Sequence, residues 1–308
     1  MIDHDLHAVA FPKLEEARMA ELEHCAAAVL KRYLAGEKLK GVGDRDFKFF
    51  VIKSGTVEIL DDSETPKTIA VLGPREFTGD TAHLTGGPSL VSAVAREDCE
   101  AYEISTEGVR DILNRFPVLG DTMLQAFIAR RQLLRECPEF TGLRVIGSRY
   151  SKDTLRIREF LARNRILFSW LDLEDDPQVN QLLRNFSVSE ADTPVVAWGR
   201  KLVLRNPSNR QLADALGIHR PLEQTVYDMV VIGAGPAGLG AAVYAASEGL
   251  NTLVLESIGA GGQAGRSMRI ENYLGFPTGV PGGELAERAV LQANRFGADL
   301  RVPRWSPP

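Results

Sequence analysis

Cysteine is scarce in this 308-residue chain: Cys25, Cys99 and Cys137 are odd in number and far apart. That excludes a disulfide framework, a cysteine-built zinc site and a Cys-x-x-Cys redox pair. No apolar run approaches the roughly 20 residues a membrane span needs. The N-terminus MIDHDLHAVA has acids where a secretory signal would carry bases, so the expected location is cytoplasmic, without membrane association. A concentrated basic stretch is also lacking. Basic against acidic residues number 17 to 24 over 1–140, 13 to 10 over 141–225 and 6 to 7 over 226–308, which sum to the net −5. No nucleic-acid partner is expected from that distribution. With 44% hydrophobic and 25% charged residues, the composition is that of folded protein and not of a disordered chain.

What is present falls into three segments. Over 12–35, Leu14, Met19, Leu22, Cys25, Ala26, Val29 and Leu30 recur mostly at three- and four-residue steps, which predicts a pair of short amphipathic helices. From Phe47 the period shortens. FKFFVIKSGTVEIL, TIAVL, LVSAVA and EAYEI are short apolar runs between turn-forming clusters, a pattern that predicts a small antiparallel barrel or jelly roll. Helical spacing returns from Val109 to Leu134, interrupted at Pro117.

The order of these elements, with Gly36–Asp44, KSGTVEIL and GPREFTGDTAHL, resembles a cyclic-nucleotide-binding domain of the catabolite-activator type over 12–137. In that family a Phe-Gly-Glu turn and a following arginine hold the ribose and the cyclic phosphate. Here the turn reads Phe77-Thr78-Gly79-Asp80, and Ser89 stands where the arginine is expected. One hydroxyl cannot replace a guanidinium fork toward a phosphate, although backbone N–H groups can still cradle an anion. Two readings stay open: a cyclic nucleotide or other anion in the barrel, or a docking and scaffolding domain. His83 reads as a hydrogen-bonded turn residue.

Residues 142–220 alternate strand and helix patterns in the order βαβαββα and resemble a thioredoxin or glutaredoxin fold, most specifically at Thr193-Pro194-Val195-Val196, where that fold places a cis-proline. The redox pair of the fold falls on Ser151 and Thr154. A hydroxyl does not take part in disulfide exchange, so the pair is silent. Ser151 is expected to cap the first helix.

From Tyr227 the sequence runs YDMVVIGAGPAGLGAAVYAASEGLNTLVLES. A short strand leads into Gly233-x-Gly235-x-x-Gly238, an alanine-rich helix follows, and a second strand ends at Glu256, which is a dinucleotide fingerprint in its full context. Gly233, Ala234, Gly235, Pro236, Ala237 and Gly238 would cradle the pyrophosphate at the helix start, and Glu256 would accept ribose hydroxyl protons. The next stretch carries Gly261-Gly262-Gln263, Ile270-Glu271-Asn272-Tyr273 and Gly275-Phe276-Pro277. It resembles the FAD-binding half of bacterial thioredoxin reductase. By that resemblance Gly262, Gln263 and Asn272 lie along the flavin; the alternative is that GAGGQAG is a flexible loop and Asn272 a turn former.

The three matches in order resemble a bacterial fusion of a cyclic-nucleotide-binding-like domain, a thioredoxin-like domain and a thioredoxin-reductase-like, FAD-dependent pyridine nucleotide-disulfide oxidoreductase. The implied fold class is multi-domain, α+β and α/β: a jelly roll with flanking helices (12–137), a thioredoxin-like fold (142–220) and a partial Rossmann-type FAD-binding domain (226–302). FAD is the implied cofactor, and NADPH belongs to a further domain that the family carries and this sequence lacks. A thioredoxin-type disulfide is the implied substrate of the intact family, and a homodimer is left open. The tail RVPRWSPP, whose prolines do not suit a central strand, leads to the expectation of a truncated product, a frameshift or a cut fragment, inactive alone. No catalytic or metal-ligating residue is assigned. The competing expectation is a non-catalytic sensor or interaction protein.

Overall fold

The computed structural model describes residues 6–25, 27–45, 47–61, 66–136, 142–176, 179–198, 202–218, 222 and 226–302. They fall into two compact units, Met1–Thr141 and Gly142–Pro308. Ala26, Cys137 and the tail from 303 lie outside the described residues.

The first unit opens with α1 (Leu6–Ala10) and α2 (Glu16–Glu23) and continues with β1 (Ala28–Tyr33), β2 (Lys38–Lys40), β3 (Phe49–Ser54), β4 (Val57–Leu60) and β5 (Thr68–Leu72). After α3 (Ala82–Thr85) come β6 (Ser92–Ala95), β7 (Cys99–Ile104), α4 (Thr106–Arg115) and α5 (Pro117–Glu136). Two antiparallel sheets, ordered β1-β7-β3 and β2-β6-β4-β5, enclose a core of Phe50, Ile52, Val57, Ile59, Leu72, Ala93 and Ala101. The jelly-roll expectation holds.

The helical reading of 12–35 holds only as far as Glu23. Ala28 to Tyr33 pair antiparallel with Ile104 to Cys99, and Val29 and Leu30 face outward, 61% and 43% exposed. Main-chain pairing with β7 decides this segment, because its apolar side chains gain little burial either way. Ser105 Oγ caps α4 by accepting the Gly108 N–H at 3.1 Å. Pro117 opens α5, where a fixed φ suits the first turn and no amide is needed.

The second unit contains β8 (Leu143–Ile146), α6 (Lys152–Arg163), β9 (Phe168–Leu171), α7 (Val179–Asn185), β10 (Val195–Trp198), β11 (Leu202–Arg205) and α8 (Asn209–Ala215). The sheet order is β11-β10-β8-β9, with β8 and β9 parallel and the other pairs antiparallel. Alternation sends Leu143, Val145 and Val196 to a core with Phe160 and Leu212, and Ile146 and Val195 to another with Val179 and Leu183. The Thr193–Pro194 bond is cis.

The chain continues with β12 (Met229–Ile232), α9 (Pro236–Ser247), β13 (Thr252–Leu255), α10 (Gly282–Arg295) and β14 (Asp299–Arg301). The three strands are parallel in the order β12-β13-β14. Val231, Leu239, Ala242, Val254, Val290 and Ala293 form the core between this sheet and the two helices. The other side of β12 is open, with Val230 and Ile232 at 50% and 78% exposure. The end of α6 meets the loop after β13: Asn164 Nδ2 donates to the Ile258 carbonyl at 2.7 Å, and Arg266 pairs with Glu159 at 3.4 Å.

Candidate functional site

The glycine loop joins β12 to α9. Gly233 takes φ +93°, open to glycine at no steric cost, and its amide donates to the Leu255 carbonyl at 2.8 Å. A Cβ at Gly238 would lie 2.0 Å from the Gly233 carbonyl oxygen, so the helix can sit this close to the turn only with glycine there. A Cβ at Gly233 itself would meet nothing within 4 Å. The loop is tight below and open above, which fits a group laid across it. The first amides of α9 have no intrahelical partner and carry the positive end of the helix dipole.

Glu256 stands at the carboxyl end of β13. Its Oε2 accepts the Ala234 N–H at 2.9 Å, and its Oε1 accepts the Ser257 N–H at 2.8 Å and the Ser257 hydroxyl at 3.1 Å. With the Ile258 N–H also 3.3 Å from Oε1, the carboxylate is held against the loop and it is Oε2 that keeps a lone pair for a hydroxyl donor. The Gly261 amide donates to the Ala234 carbonyl at 2.7 Å, and a Cβ at Gly262 would lie 3.1 Å from Gly235 Cα. Gly233–Gly238, Glu256 and Gly262 therefore converge. Gln263 and Asn272 stand exposed on separate loops. Tyr273, next to Asn272, lines a small gap with Pro236 and Gly261.

At the head of α6, Ser151 Oγ accepts the Thr154 N–H at 3.3 Å, the cap expected of it. Thr154 is fully buried and its hydroxyl has no hydrogen-bond partner among the described residues. A Cβ at Gly147 would lie 2.5 Å from Thr154 Oγ1 and 3.0 Å from Pro194 Cβ, so these three residues meet at the carboxyl end of β8. No thiol stands at 151 or 154. Of the described cysteines, Cys99 is buried with its thiol pushed up by burial, and Cys25 lies on the first unit.

In the first unit, the Phe77–Asp80 turn is pinned by Arg130 of α5, a residue that sequence reading passes over as one base in an amphipathic pattern. Its Nη2 donates to the Phe77 carbonyl and its Nη1 to the Gly79 carbonyl, each at 2.8 Å, and its Nε donates to the Ala10 carbonyl at 2.7 Å. Burial pushes the guanidinium down to about 10. Ser89 is fully buried and its hydroxyl donates to the Val91 carbonyl at 2.8 Å, so it offers nothing to a phosphate. His83 sits in the turn, where its Nδ1 meets the Asp80 backbone, the Lys48 backbone also favours its protonated form, and its ring packs among Phe47, Phe49 and Phe127. Beside the turn lies a cavity of about 360 Å³.

Among the described residues no helix is long and apolar enough to cross a membrane, and no group of three or more His, Cys, Asp or Glu could hold a metal.

Residues 30–116 match the cyclic nucleotide-binding domain family and residues 228–268 the FAD binding domain family. Over 79 residues, 26% of this chain, the sequence is 48% identical to thioredoxin reductase of Mycolicibacterium smegmatis, covering 25% of that protein. It is 46% identical to the bifunctional thioredoxin reductase/thioredoxin of Mycobacterium leprae over 79 residues, 17% of that protein. Catabolite activator protein of Thermus thermophilus aligns at 24% identity with TM-score 0.35, covering 51% of this chain and 66% of that one. The chain spans about a quarter or less of the thioredoxin reductases it matches. The chain thus carries, in order, a segment matched by the cyclic nucleotide-binding domain family and thioredoxin-reductase-like sequence matched by the FAD binding domain family.

Proposed function

We propose that this chain is a sensor-coupled flavoprotein of the thioredoxin-reductase type. A ligand-receiving barrel occupies 12–137, a thioredoxin-like fold without redox cysteines 142–220, and an FAD-binding segment 226–302. The observation that carries the reading is the glycine loop, open above Gly233 and tied to a carboxylate at Glu256. The backbone amides of Gly235, Ala237 and Gly238 would hold the pyrophosphate, and Glu256 would orient the adenosine ribose through the remaining lone pair of Oε2. Gln263 and Asn272 are the side chains placed to reach toward the flavin end. When bound, FAD supplies two-electron transfer between a reduced nicotinamide such as NADPH and a thioredoxin-type disulfide.

Support for the thioredoxin-like reading comes from the β11-β10-β8-β9 order, the cis Thr193–Pro194 bond and the serine cap where the family's first cysteine falls. Because neither 151 nor 154 is a thiol, this part serves for docking and not for electron transfer. The 308 residues alone are proposed to take up FAD weakly and to carry out no NADPH-dependent disulfide reduction, since no redox pair is in place and the outer side of β12 is bare. Robust reduction of a thioredoxin or dithiobenzoate acceptor by this chain would overturn that.

A second reading is a non-catalytic sensor or interaction protein, favoured by the buried Ser89 and the hydroxyls at 151 and 154. Titration with FAD separates the two. Uptake supports the flavoprotein, and failure of uptake together with ligand binding by the barrel supports the sensor.

A further inference from the structure

The cavity of the first unit is a site with a distinct chemistry. Its walls are mainly apolar: Phe11, Ile59, Leu72, Val91, Leu133 and Leu134. At about 360 Å³ it lies within the range of small-molecule sites, roughly 300 to 1,000 Å³, and matches about a dozen heavy atoms at water's share of ~30 Å³ each.

The charged groups lining it are Lys40, Arg130, Asp80, Asp61 and Lys67. Arg130 is already committed to three carbonyls. Asp80 accepts the Ala82 N–H at 2.6 Å, and Asp61 accepts the Lys67 N–H at 2.8 Å. Lys40 differs. It is 3% exposed, and among the described residues the carboxylates of Asp80 and Asp44 act on its charge without any hydrogen bond or ion pair within 4 Å to its ammonium. The ammonium lies over the Phe47 ring at 4.5 Å, a contact that uses none of its three donors in a conventional hydrogen bond. Burial of such a group with no carboxylate in direct contact costs several kcal/mol, only partly offset by Asp80 and Asp44, and an anion in contact with it offsets more of that cost.

We propose that the barrel binds an amphiphilic monocarboxylate, with its head on Lys40 and its apolar body along Ile59, Leu72, Val91 and Leu133, in place of a cyclic nucleotide. The proposal rests on the reading of the barrel as a ligand site and names its ligand class. A cyclic phosphate would need several donors where Ser89 supplies none, and a purine would leave its polar edge against apolar walls. A single anionic head on an apolar chain needs one cation and a greasy wall, which is what the cavity has.

The test is calorimetric titration of the full 308-residue chain with decanoate, decanol, cyclic AMP and cyclic GMP. Decanoate is expected to bind saturably and decanol, equal in length but uncharged, about tenfold or more weakly, the scale of one charge-assisted hydrogen bond. Lys40→Met keeps an apolar body of similar length in the core. It should keep its melting transition and lose about tenfold or more in decanoate affinity while decanol is unaffected. Ile69→Trp, at a cavity-lining position that is 36% exposed and so tolerates bulk, should weaken both probes. Equal binding of decanoate and decanol by the unaltered chain, or undiminished decanoate binding in Lys40→Met, overturns the proposal. Tight cyclic nucleotide binding without decanoate binding overturns it too and leaves the barrel a ligand site. Absence of binding by all four probes overturns both.

Discussion

Glu256 Oε2 accepts the amide of Ala234 at 2.9 Å, across 22 residues, and so ties the end of β13 to the middle of the glycine loop. The same carboxylate that would orient a ribose therefore also shapes the loop that would hold the pyrophosphate. Glu256→Ala removes both contributions. FAD affinity should fall by about 1.5 to 3 kcal/mol, roughly 10- to 150-fold, read by quenching of flavin fluorescence. An unchanged dissociation constant would mean that the flavin is held elsewhere.

Two glycines of α9 should behave oppositely. Gly238→Ala drives a methyl to 2.0 Å from the Gly233 carbonyl, so the helix must back away, FAD uptake should be lost and the melting temperature should drop. At Gly240 an added Cβ meets nothing within 4 Å, and Gly240→Ala should stabilise by about 0.5 to 1 kcal/mol. Thermal denaturation of the two variants side by side checks the geometry without any ligand. Similar melting temperatures would contradict it.

Much of this was legible in the sequence, for a physical reason in each case. Alternation betrays β4 and β6 because each buries one face, and glycine spacing betrays the loop because the backbone at 233 turns left-handed and a Cβ at 238 would strike the Gly233 carbonyl. Val29 and Leu30 mislead because an edge strand can leave apolar residues outside, so the spacing of 12–35 carries helical periodicity that β7 overrides. Arg130 and Lys40 escape notice because a buried cation looks, in one dimension, like any surface base; only the fold brings Arg130 to carbonyls 51, 53 and 120 residues away.

Burial, with the nearby Lys40 charge adding to it, pushes the His83 imidazole down to about 4, partly countered by Asp80. The unfolded chain takes its proton near 6.5, while the folded chain resists it to about 4. Stability from this residue is therefore complete above pH 6.5 and is lost as pH falls from 6.5 toward 4, by about 1.4 kcal/mol per pH unit and on the order of 3 kcal/mol in all. His83→Phe should flatten that window in urea denaturation. A variant whose midpoints track those of the unaltered chain between pH 6.5 and 4.5 would show that His83 is not the group responsible.

On the proposed thioredoxin-like reading, the Ser151 cap places one hydroxyl where an attacking thiol would sit. Ser151→Ala should cost about 1 kcal/mol of stability. The double variant Ser151→Cys, Thr154→Cys should form a reducible disulfide and reduce insulin in the presence of dithiothreitol, whereas the unaltered chain should not. Two thiols that stay unpaired under oxidising conditions would count against a thioredoxin-like geometry at the head of α6.

The central claim is that the loop from Gly233 to Gly238, with Glu256, holds the adenine dinucleotide end of FAD. Equilibrium titration of the 308-residue chain with FAD in the presence of ADP or FMN tests it most directly, because ADP carries the groups that these residues would contact and FMN does not. Saturable FAD uptake displaced by ADP and indifferent to FMN is the expected result, and no uptake, or displacement by FMN but not by ADP, would contradict it.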